Sequence, residues 1–188
     1  VHEVNWDGML DKLLADEAAV AQMVHQITLE AVQYYSGVNL DLEGLGLNAA
    51  ADQLMQIQGN FTKMATLLAE SLHDEGLGLT LTLHAPNSAY KGYDYKALGQ
   101  VADRIIIMAY DYGPKPEPTT SVVQAVEQAL QHVAPEKLVL GISLPSENPA
   151  SSLTKVGIAK RYRLQGIALW RLGLVQEEVW QALRTTIK

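Results

Sequence analysis

Cysteine is absent from all 188 residues, which excludes both a zinc–thiolate site and a thiol nucleophile. The absence assigns no redox compartment, because cytoplasmic and secreted chains alike can do without cysteine. No run of Lys and Arg interrupts a chain of formal charge −7 and pI near 5.2. Binding to nucleic acid or to an anionic membrane through a basic patch is therefore not expected. No apolar stretch reaches the roughly 18 residues that a membrane span requires. Low-complexity segments and internal repeats are lacking too. The opening residues, Val1 to Asp7, carry no signal-peptide pattern, and the chain begins on Val rather than Met, from which an upstream leader or region is expected.

What is present is ordinary globular composition, 48% hydrophobic and 19% charged, enough for one domain over 1–188 with a real core. Helix and strand patterns alternate, the signature of a parallel α/β architecture. Met9, Leu10, Leu13, Leu14, Val20, Met23, Val24, Ile27, Ala31 and Val32 recur at helical spacing, so 8–35 reads as helix, with a break or restart at Asp16-Glu17. A strand follows at Gly37–Glu43, then a long helix over 50–75 stopped by Gly76. Strands are expected at 77–84, 103–111, 137–143 and 166–170. The helices between and after them fall at 95–100, 120–132, 153–162 and 175–187. The stretch 103–111 is almost wholly apolar, as in parallel strands buried on both faces. The irregular segment Gly113–Pro118 is too short for a linker and follows a strand, where functional loops of a barrel belong.

In Gly37–Glu43 the period of two puts Asn39, Asp41 and Glu43 on one face. Three polar groups on one face of a buried strand are costly unless paired or used. Two carboxylates this close repel, so one should hold a proton near neutral pH. A protonated Glu is what protonation of a glycosidic oxygen needs. The same pattern also suits an acidic pair at a strand end or a helix N-cap, and the residues alone leave both readings open.

Ser36-Gly-Val-Asn-Leu-Asp-Leu-Glu43 resembles the glycoside hydrolase family 18 signature Asp-Gly-x-Asp-x-Asp-x-Glu of the fourth barrel strand, and is closest to the spore-cortex and germination branch. Met108-Ala109-Tyr110-Asp111 is similar to the Met-x-Tyr-Asp of strand six, and Gly166–Gly173 to the strand-eight segment with its floor tryptophan, Trp170. The resemblance runs from about Met9 to the end. It implies a partial TIM (β/α)8 barrel of about five C-terminal units, strands four to eight, with the N-terminal strands missing.

The resemblance further implies a glycosidase acting on β-1,4 linkages in N-acetylglucosamine polymers, peptidoglycan or spore cortex or chitin, secreted or wall- or spore-associated in a bacterium. Glu43 is then the acid and later the base, and the substrate's own acetamido oxygen is the nucleophile. Asp41 orients that acetamido group and Tyr110 holds its carbonyl oxygen. Asn39, Met108 and Asp111 belong to the substrate-binding set, and Trp170 stacks beneath the sugar. No cofactor or metal is implied. His2, His25, His73, His84 and His132 show no metal-ligand spacing; His84 is a weak candidate for the cleft. Tyr90, Tyr93 and Tyr95 are expected mainly to pack.

Ser36 and Asn39 depart from the general signature, and the Asn removes a carboxylate that would help cycle the proton through Asp41. The short loop between Ser143 and Leu153 leaves no room for an inserted subdomain, which implies a shallower groove and a bulkier or cross-linked glycan. A barrel usually takes about 250 residues, so a second chain or an N-terminal segment is expected to complete it. Two other functions remain open: a glycan-binding protein without turnover, and a fragment inactive for want of its other wall.

Overall fold

The computed structural model describes residues 1–186. Six strands form one sheet in sequence order: β1 (His2–Val4), β2 (Gly37–Glu43), β3 (Gly78–His84), β4 (Arg104–Met108), β5 (Leu138–Ser143) and β6 (Gly166–Trp170). Every neighbouring pair is parallel. The helices are α1 (Met9–Ala15), α2 (Glu17–Tyr34), α3 (Ala51–Asp74), α4 (Tyr95–Val101), α5 (Thr119–Leu130), α6 (Pro149–Arg161) and α7 (Glu177–Thr186). Each connects or follows a strand, so the chain is an arc of a β/α barrel. Among the described residues the arc stays open, with β1 and β6 at its edges.

The expected strands four to eight are β2 to β6. β1 is an addition: His2-Glu3-Val4 is too short for a periodic signal, and only its pairing with Asp41, Leu42 and Glu43 makes it a strand. It takes the place of barrel strand three, so two strands rather than three lack a counterpart among the described residues. The strand expected over 103–111 ends at Met108, because Asp111 turns the chain with φ 63°. The first helix does break at Asp16, whose carboxylate accepts the N–H groups of Ala18 and Ala19 and caps α2. α6 starts at Pro149, earlier than the apolar pattern suggested, because Asn148 caps it by accepting from the Ser151 N–H. Ile187, the expected end of the last helix, lies outside the described residues.

Alternation explains both faces of the sheet. Leu40, Leu42, Leu79, Leu81, Leu83, Ile105 and Ile107 are all buried, and belong to one core with Phe61, Met64, Leu68 and Leu72 of α3. Burying such side chains is the main favourable term, about 1.5–3 kcal/mol each. Their alternates Asn39, Asp41, Glu43, Thr82, Ile106 and Met108 line the inside of the arc. A smaller cluster of Ile142, Leu144, Val156, Val179 and Leu183 holds α6 and α7 against β5.

Candidate active site

The candidate functional side chains gather where the strands end. Glu43, His84, Met108 and Trp170 are the last residues of β2, β3, β4 and β6. A cavity of about 170 Å³ opens there, lined by Asn39, Asp41, Glu43, Thr82, Met108, Tyr110, Gly141 and Trp170 among others. Six of the seven residues singled out from the sequence therefore share one cavity. Asp111 does not line it: the residue is exposed, on the turn beyond Tyr110.

Asn39, Asp41 and Glu43 do project together, as the period of two requires. The Thr82 hydroxyl of β3 donates to Asn39 Oδ1 at 2.9 Å, which uses that amide oxygen on the inner face of the arc. Asp41 Oδ1 is buried and has no hydrogen-bond partner. Its carboxyl is pushed up to about 6, first by burial and then by the negative charge of Glu43. Both effects favour the protonated form of Asp41 relative to a free aspartate.

Glu43 lies between two histidines and is hydrogen-bonded to one of them, His2. His2 Nε2 lies 3.0 Å from Oε1, and His84 Nε2 lies 3.6 Å from Oε2. The His84 contact is too long for a hydrogen bond, and the Gly44 N–H donates to the same nitrogen at 3.3 Å. Burial lowers the pKa of His84, which keeps the ring neutral. Gly44 has φ 83°, the left-handed turn that takes the chain away from Glu43 and suits glycine. The Tyr93 hydroxyl donates to the Leu42 carbonyl at 2.8 Å, fixing the strand one residue before Glu43.

Tyr110 is largely buried, and its pKa is raised, first by burial and then by Glu43, Asp41 and Asp111, so the phenol stays a neutral donor. It lies against Gly141 of β5: a Cβ there would stand 3.2 Å from Tyr110 Cε1 and 2.7 Å from the Ile107 carbonyl oxygen. Trp170 lines the cavity while half exposed at 51%, so it is a surface at the cavity rather than a core residue. Tyr93 and Tyr95 are buried, and the Tyr95 hydroxyl donates to the His84 carbonyl at 3.0 Å; Tyr90 stacks on the His84 ring with centroids 4.0 Å apart.

Several contributors were not legible in the sequence. Glu117, from the Pro-rich loop, is 3% exposed and accepts the N–H groups of Asp111 and Tyr112 at 3.0 and 3.1 Å. It raises the pKa of Asp111, though burial does so more. Its own backbone oxygen accepts from Lys155 Nζ at 2.6 Å, and Lys155 pairs with Glu147 at 3.1 Å in the interior. A lone acid between Pro116 and Pro118 was the only available signal. The histidine reading also changes: sequence spacing separates His2 from the signature strand, yet β1 brings one donor atom each of His2, Asp41 and Glu43 within 4.8 Å.

Fold and site together define an α/β barrel protein with a carboxylate pair and an aromatic wall at the carboxyl ends of its strands. The chain belongs to the glycosyl hydrolases family 18, whose model matches residues 5–146. It is 27% identical over 145 residues to the cortical fragment-lytic enzyme of Bacillus subtilis (strain 168), covering 70% of this chain and 32% of that one. The chain thus spans about a third of the length of this curated relative. Its fold is that of the spore cortex-lytic enzyme SleL of Bacillus megaterium QM B1551, with a TM-score of 0.79 at 18% identity over 94% of this chain and 55% of that one. The chitinase of Chromobacterium violaceum ATCC 12472 is also similar, with a TM-score of 0.77 at 20% identity over 91% and 72% of the two chains.

Proposed function

We propose that this chain is the catalytic-site portion of a glycosidase that hydrolyses β-1,4 linkages in N-acetylglucosamine-containing polymers, by a retaining mechanism in which the substrate supplies the nucleophile. The observation that carries the reading is the partnerless Asp41 Oδ1 beside Glu43 in a cavity bounded by Tyr110 and Trp170. An inverting pair needs its carboxyls roughly 6.5–9.5 Å apart to admit a water, and a nucleophilic pair must face the sugar from opposite sides. Asp41 and Glu43 stand side by side on one strand, with an oxygen of each within 4.8 Å. Two carboxylates projecting from one strand support a nucleophile from elsewhere, the part that the resemblance to the substrate-assisted family 18 gives to the 2-acetamido group.

In this reading Glu43 protonates the leaving oxygen and afterwards activates water from the same face. Asp41, as the carboxylate, accepts the acetamido N–H at its partnerless Oδ1, orients the carbonyl oxygen towards the anomeric carbon and stabilises the positive charge developing on the ring that closes. Tyr110 donates to the acetamido oxygen, Trp170 stacks beneath the sugar, and Asn39 and Met108 shape the floor. Asp111, outside the cavity, reaches a neighbouring sugar instead of the reacting one. The spore cortex and cell wall of a bacterium are the expected site of action, given the names of the relatives. Two further β/α units, from the same protein or a second chain, close the barrel between β1 and β6.

The test is turnover of N-acetylglucosamine oligomers and of purified peptidoglycan by this chain beside its Glu43→Gln variant. Cleavage that disappears in the variant supports the reading. Undiminished cleavage in the variant removes Glu43 from the mechanism, and binding by both without cleavage replaces the enzyme with a lectin-like protein.

A further inference from the structure

We propose that His84 is a positioning residue for Glu43: its neutral imidazole accepts the Gly44 N–H at Nε2, pins the turn that follows the acid, and keeps a donor away from Glu43 Oε2. The inference rests on the reading of Glu43 as the acid. Its geometry is independent of that reading. The Gly44 N–H and Glu43 Oε2 both approach the same ring nitrogen, at 3.3 and 3.6 Å. An N–H can donate only to a bare nitrogen, so Nε2 is unprotonated and the ring proton sits on Nδ1. With its Nε2 lone pair directed to Gly44, His84 cannot donate to Oε2, and this oxygen stays free for the proton it must deliver.

The ring is braced by its aromatic neighbours. Tyr90 stacks on one face at 4.0 Å, Tyr93 packs against it at 5.8 Å, and the Tyr95 hydroxyl holds the His84 carbonyl. Tyr93 in turn holds the Leu42 carbonyl and accepts from the Leu45 N–H, so β2 is tied to the loop after β3 on both sides of Glu43. Burial, which lowers the pKa of His84, maintains the neutral ring. The three tyrosines that follow β3 thereby acquire a use: they hold the histidine that holds the acid.

The experiment pairs imidazole nitrogen NMR with kinetics on this chain. The wild type at pH 7 should show His84 with Nδ1 protonated and Nε2 bare, and a Gly44 amide protected from exchange. His84→Ala should lower kcat about tenfold with KM within twofold and release the Gly44 amide. His84→Gln, whose amide oxygen reaches the place of Nε2 and accepts from Gly44, should restore most of both. A proton on Nε2 at pH 7, or a Gly44 amide equally protected in His84→Ala, overturns the proposal even if the chain turns over no substrate. A kcat unchanged in His84→Ala, with Glu43→Gln inactive, overturns it while leaving the glycosidase reading intact.

Discussion

Replacing Lys155 with Met should cost this chain a large share of its stability, because the ion pair it breaks lies in the interior. The side chains of Lys155 and Glu147 are 3% and 1% exposed, and Nζ stands 3.1 Å from Oε1. The same ammonium donates to the Glu117 carbonyl oxygen at 2.6 Å. Met keeps the aliphatic stem and deletes the charge, so packing is largely preserved while Glu147 is left in the core without a counter-charge. Its Oε2 already lacks a partner. Breaking a buried pair from one side costs about 3–5 kcal/mol. In a chain of this size each kcal/mol moves Tm by roughly 2–4 °C, so the midpoint should fall by on the order of 10 °C. The double variant Lys155→Met/Glu147→Leu should recover most of the loss, since it removes the stranded carboxylate, giving a coupling of about 2–3 kcal/mol. Urea melts of the four proteins in the cycle measure it. A single variant within about 1 kcal/mol of wild type, or strict additivity in the double, would refute the claim that the pair is dry.

Three further outcomes are expected. Asp41 has a folded pKa raised from 3.8 to about 6; the stability it contributes is full below pH 3.8 and is lost as pH rises through about 6. Asp41→Asn should therefore flatten the Tm–pH curve between those values, and an unchanged slope would sink the assignment. Glu117→Ala strands two N–H groups of the turn after β4 and should cost roughly 2–4 kcal/mol in a urea melt, with turnover falling as Tyr110 loosens. Gly141→Ala puts a methyl against the Ile107 carbonyl and the Tyr110 ring; it should destabilise by about 1–3 kcal/mol and raise KM more than Gly166→Ala, where nothing lies within 4 Å.

Most of the strand order was legible because β2 and β3 alternate and β4 to β6 are short apolar runs between helical patterns, and the facing of Asn39, Asp41 and Glu43 followed from the period of two in β2. β1 was not, since three residues hold no period and pairing with β2 alone defines them. For the same reason His2 read as a lone histidine although it meets Glu43, 41 residues away. Glu117 and Lys155 escaped because their partners are a turn's backbone and a residue on another element, which no local pattern announces. Asp111 entered the substrate-binding set through the resemblance to Met-x-Tyr-Asp, whereas the left-handed turn between β4 and α5 leaves it exposed outside the cavity.

Trp170 ends the edge strand β6, whose outer side has no neighbour among the described residues. A sugar resting on that indole would press on the least supported part of the sheet, so its affinity carries the cost of holding β6 in place. Whatever pairs with that edge removes the cost in advance. Under the proposed function, linkage requires the sugar to strengthen the edge contact by the same factor, so that closing the ring and gripping the substrate would be one equilibrium, measurable from either end.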